Sequence, residues 1–128
     1  MTVEQSELSN GMRVVTDRME SVETVSLGVW TRVGTRYEDA SLNGVSHMLE
    51  HMAFKGTARR DARGIAEEIE AVGGHLNAFT SREVTAYHAT VLKEDVPLAV
   101  DIVADILQHS LFEQGELERE REVVLQEI

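Results

Sequence analysis

The chain has 128 residues, 42% hydrophobic and 27% charged, with a net charge of −11 from 23 acids against 12 bases. This is one domain's length with an ordinary globular composition, and its acidity argues against nucleic-acid binding, which needs a basic surface. With no cysteine, disulfides and thiolate metal sites are excluded, so any metal must be held by His, Asp or Glu.

Met1–Gln5 has neither the basic-then-apolar layout of a secretory signal nor the Arg-rich character of a transit peptide. No apolar run reaches membrane-spanning length. The expected compartment is a bacterial-type cytoplasm, or an organelle matrix for a mature protein. Leu8–Val15 predicts a hairpin turning at Asn10-Gly11, the strongest short hairpin signal. Val25, Leu27, Val29, Thr31 and Val33 alternate with Thr24, Ser26, Gly28, Trp30 and Arg32, the period of a half-buried strand.

Asn43 is the expected N-cap of a helix over Gly44–Phe54. A second helix is predicted over Ala62–Val72, capped by Asp61, striped by Ile65, Ile69 and Val72, and ended by Gly73-Gly74. Strands at His75–Thr80 and Val84–Leu92 follow, joined by Ser81-Arg82-Glu83. A third helix is predicted over Val96–Gln108, with Pro97 in its first turn and Val100, Val103, Ile106 and Leu107 buried. A fourth starts near Glu113 and is still running at Ile128, with Leu117, Val124 and Ile128 as its buried stripe. This order predicts an α+β fold, a mostly antiparallel sheet with helices on one face. The expectation is one N-terminal domain over residues 1–128, truncated within its last helix, with no second domain in the chain.

The chemistry concentrates in His47-Met48-Leu49-Glu50-His51. Positions i, i+3 and i+4 share one helix face, so two imidazoles one turn apart can reach the same ion. Zinc suits two imidazoles and an oxygen ligand with a fourth position left for water, and Glu50 is then free to act as general base. Two histidines and a glutamate at this spacing form a known metallopeptidase signature. The third ligand must come from elsewhere. Glu120 and Glu127 both border the apolar stripe of the last helix, two turns apart on one face, and spacing alone does not choose between them.

The chain resembles the pitrilysin-like (inverzincin) zinc peptidases, most closely the mitochondrial processing peptidase β-subunits and their bacterial homologues. The matching stretches are Gly28-Val29-Trp30, Gly34–Glu38, Gly44–Thr57, Gly73–Thr80 and Glu118–Glu127, in the family's order. The resemblance implies His47 and His51 as zinc ligands and Glu50 as the catalytic base. It implies Glu127 as third ligand, 76 residues beyond His51 (127 − 51), with Glu120 orienting a histidine ligand. Asn77, Ala78, Phe79 and Thr80 match the family's substrate-binding edge strand, to which an extended peptide adds by main-chain hydrogen bonds. His75, His88 and His109 have no motif role.

The expected function is therefore a zinc-dependent endopeptidase acting on extended peptides or presequences. The family's members are several times longer, so this chain by itself is expected to be inactive. Its expected partners are a peptide substrate and the remaining C-terminal domains or a homologous subunit. Self-association of the fragment is a further expectation. The rival reading is a non-catalytic structural or interaction subunit of the same family, and the intact motif argues against it.

Overall fold

A computed structural model describes residues 2–127. The elements are β1 (Thr2–Glu7), β2 (Arg13–Arg18), β3 (Thr24–Thr31), α1 (Val45–Ala53), α2 (Ala62–Ala71), β4 (His75–Thr80), β5 (Thr85–Leu92), α3 (Val96–Gln108) and α4 (Gln114–Glu127). Single 3-10 turns stand at Thr35–Tyr37 and Lys93–Asp95. The expected end of the last helix at Ile128 lies outside the described residues.

β1 and β2 form an antiparallel hairpin from Thr2↔Arg18 to Glu7↔Arg13. Its loop is wider than Asn10-Gly11 alone. Gly11 takes the left-handed conformation at φ 88, and the loop closes by Leu8 N–H to Met12 O at 2.8 Å. The other strands make a three-stranded antiparallel sheet in the order β3-β5-β4. The strand period then sorts side chains onto two faces. Leu27, Val29, Leu76, Ala78, Tyr87, Ala89 and Val91 point into one core with Ile65 and Ile69 of α2 and Ala99, Ile102, Val103 and Ile106 of α3. Trp30 and Phe79 stay exposed on the opposite face. The fold is α+β with helices on one face of the sheet.

Two local expectations are corrected. Val100 is exposed and Ala99 and Ile102 are buried instead. The buried stripe of α3 runs 99, 102, 103, 106, and Val100 lies about 100° off its first position at the helical period. Asn43 does not cap α1. The N-cap is Gly44, at φ 91 and without a side-chain cap of its own. Glu38 caps the helix instead, accepting from Gly44 N–H at 2.7 Å and Ser46 N–H at 2.8 Å. Asp61 does cap α2, accepting from Gly64 N–H at 2.6 Å, and Gly73 ends that helix at φ 71.

Candidate metal centre

Three segments converge on α1. Its C-terminal residues Met52 and Ala53 are buried, which anchors the helix and leaves His47, Glu50 and His51 half-buried on one face. Glu38 fixes the other end of the helix. Its two backbone N–H donors, Ser46 first and Gly44 second, hold that carboxyl below the usual range. The segment carrying Glu38 is tied in turn to the β4–β5 loop, with Thr35 N–H donating to Ser81 O at 3.1 Å and Arg36 N–H to Arg82 O at 2.9 Å. Gly34 is required at this junction because a Cβ there would come within 2.5 Å of the Arg82 backbone.

His47 Nε2 lies 3.0 Å from His51 Nε2. Glu127 Oε2 lies 3.0 Å from His47 Nε2 and 3.3 Å from His51 Nε2. Donors bonded to one tetrahedral zinc at ordinary lengths stand about 3.3 Å apart, so the spacing of these three fits such an ion. Of the two glutamates that sequence spacing left open, Glu127 brings its oxygen to this triangle. Glu120 does not. Its Oε2 lies 2.9 Å from His51 Nδ1, and its Oε1 lies 2.5 Å from Lys55 Nζ. Burial alone would raise the Glu120 carboxyl, but Lys55 and His51 outweigh it and hold it below its ordinary value. An ionised Glu120 accepts a hydrogen bond from Nδ1–H of His51, which keeps the proton on Nδ1 and leaves Nε2 with its lone pair facing the triangle.

Glu50 points to the strand side. The Thr80 hydroxyl donates to its Oε2, leaving Oε1 without that bond. Tyr87 is buried close by, and burial first, then the charge of Glu50, raise its phenol pKa. Thr80 ends β4, which has β5 as its one sheet neighbour among the described residues, so its other edge is free. Asn77 and Phe79 are exposed on this strand, and Ala78 and Thr80 are half-buried. The triangle, the glutamate and a free sheet edge are therefore contiguous. His75 and His109 are exposed, and His88 is half-buried against the Phe79 ring.

The sequence reading missed two contributors, Glu38 and Lys55, and one contact of Thr80. Glu38 had no local cap signature, because it reaches Gly44 and Ser46 only by folding over a loop. Lys55 was unremarkable beside the motif until α4 brought Glu120 to it. Thr80 stands on the expected peptide-binding edge, and its hydroxyl also bonds Glu50. A short polar side chain at the end of a strand gives no sign of such a bond.

Residues 13–128 match the family described as Insulinase (Peptidase family M16). The chain belongs to that family. It is 53% identical over 121 residues to a probable mitochondrial-processing peptidase subunit beta of Arabidopsis thaliana, covering 94% of this chain and 23% of the relative. It is 50% identical over 123 residues to an uncharacterized zinc protease of Rickettsia felis, covering 96% of this chain and 30% of the relative. The crystal structure of a protease from Helicobacter pylori superimposes with a TM-score of 0.92 at 29% identity, over 98% of this chain and 30% of that one. This M16 chain thus spans between about a quarter and a third of the length of the proteins it matches. Among its described residues no helix is long and apolar enough to cross a membrane.

Proposed function

We propose that the chain is the N-terminal, metal-binding domain of a zinc-dependent endopeptidase that cleaves extended peptides or presequence-like segments. The observation that carries the reading is the convergence of His47, His51 and Glu127 donor atoms within 4.8 Å of one another, with Glu50 on the same helix face. Membership of a family whose relatives are named zinc proteases and processing peptidases supports it. His47, His51 and Glu127 hold the ion, and Glu120 orients His51.

Zinc, when bound, polarises the scissile carbonyl and makes a water acidic enough to be deprotonated near neutral pH. Glu50 takes that proton as the water oxygen attacks the carbonyl carbon. The carbon–nitrogen bond then breaks, and Glu50 returns the proton to the departing amine. Thr80 steadies the carboxylate through Oε2. The peptide lies along the free edge of β4, with main-chain bonds to Asn77–Thr80 setting its register. Bacterial and mitochondrial relatives make a bacterial cytoplasm or an organelle matrix the compartment we favour.

Because relatives are three to four times longer, we expect the 128 residues alone to bind zinc but hydrolyse little. Further domains or a homologous subunit complete the enzyme. The test is Glu50→Gln in a protein of the relatives' length carrying this domain. Zinc content should be retained while hydrolysis is lost, by at least about the 100-fold a positioned general base contributes. Unchanged turnover would remove Glu50 from the chemistry.

A further inference from the structure

The inference rests on the zinc reading above and concerns the helix that brings Glu127. Among the described residues of α4, Glu120 and Val124 are buried and Leu117 is half-buried, while Val123 and Leu125 are 43% and 55% exposed. Apolar burial therefore holds this helix weakly. Its remaining attachments to α1 are carboxylates.

The two carboxylates differ. Glu127 is half-exposed and faces two imidazoles. Glu120 has a side chain only 9% exposed and both oxygens engaged, one by His51 and one by Lys55. Lys55 stands on a rigid mount. Its N–H donates to Met52 O at 3.1 Å, and Gly56 O accepts from Leu111 N–H at 3.1 Å. Two residues on, the Thr57 hydroxyl donates to Asp105 of α3 at 2.7 Å, and Arg60 clasps the same carboxylate at 2.9 Å. The backbone around Lys55 is thus tied to α1 and to the α3 scaffold, and Glu120 belongs to the helix that must be brought to it.

We propose that Lys55 is a positioning residue that docks α4 on α1 ahead of the metal, and so sets Glu127 opposite His47 and His51. Holding Oε1 turns Oε2 toward His51 Nδ1, so the same contact orients the helix and the imidazole. Losing the ammonium has two opposed consequences. A positive charge near a cation site disappears, which favours metal binding. Glu120 is also left as a buried carboxylate without its counter-ion, which drives its helix toward water. The second effect dominates. Glu120 stands against Lys55 and offsets its field at the ion, whereas a displaced Glu127 costs a whole ligand.

The experiment compares Lys55→Met and Lys55→Arg with the parent chain, using zinc and a chromogenic chelator, and amide hydrogen exchange without metal. In the metal-free chain, Lys55→Met should speed exchange in α4 by about tenfold and leave α3 unchanged. Its zinc affinity should fall about tenfold, the low end for partners that orient a ligand. Lys55→Arg, which keeps the charge, should restore both to within about threefold. Parental protection of α4 in metal-free Lys55→Met would overturn the proposal, as would equal loss of protection in α3. Glu127→Gln separates this from the zinc reading. If that change leaves zinc affinity untouched, the ligand assignment fails, while the metal-free exchange still decides Lys55.

Discussion

α3 and α4 are nearly equal in length, 13 and 14 residues, yet they are held by opposite means. α3 buries Ala99, Ile102, Val103 and Ile106 against the sheet. The one charged group it buries, Asp105, is matched by Arg60 and Thr57. α4 buries one apolar side chain and a glutamate, and otherwise turns charges toward α1 and solvent. Apolar burial is non-directional and indifferent to metal and nearly so to pH. Charged contacts between two helices depend on what sits between them. The first arrangement suits a scaffold, and the second suits a helix that carries ligands.

The comparison breaks most sharply in the core. Ile102→Ala should destabilise the chain by roughly 2–5 kcal/mol, read from urea unfolding, because a fully buried side chain leaves a cavity. A cost below 1 kcal/mol would mean that α3 is not the scaffold described. Zinc should act on the other helix. At about 100 times its dissociation constant it should add about 2.7 kcal/mol of stability, seen as a higher urea midpoint. Glu127→Gln should lose most of that gain while leaving the metal-free chain nearly unchanged, since its side chain is half-exposed. An equal gain in both chains would detach the metal effect from α4.

A smaller effect is expected in acid. Asp101 on α3 is held down to a pKa of about 2, first by the hydrogen bond from Arg59 and then by that from Arg60. A depressed carboxyl contributes stability that is complete above its unfolded pKa, near 3.8, and is lost as pH falls toward the folded value. The urea midpoint of Asp101→Asn should therefore lie below that of the parent at pH 5 and converge on it between about pH 4 and 2. A constant gap across that window would assign the difference to something other than ionisation.

Much of this was legible along the chain. His75–Thr80 and Val96–Gln108 are observed with the predicted bounds, and the other helices differ by a residue or two at their ends. Period and capping are local properties, and Asp61 with Gly64 is a signal contained within four residues. Val100 misled because its hydrophobicity says nothing about which side of α3 the sheet occupies. Asn43 misled because a local cap competes with any carboxylate that folding delivers, and Glu38 was delivered.

By itself, the sequence determined that His47, Glu50 and His51 share a helix face, since the helical period requires it. It also offered the acids of the last helix as distant partners. Spacing left Glu120 and Glu127 open and the family resemblance pointed to Glu127, but only the tertiary structure brings Glu127 to the imidazole nitrogens and turns Glu120 to His51 Nδ1 and Lys55. The two glutamates are equivalent along the helix, separated by two full turns. They become different only when α4 crosses α1 at one place and angle, which depends on side-chain packing between residues some seventy positions apart.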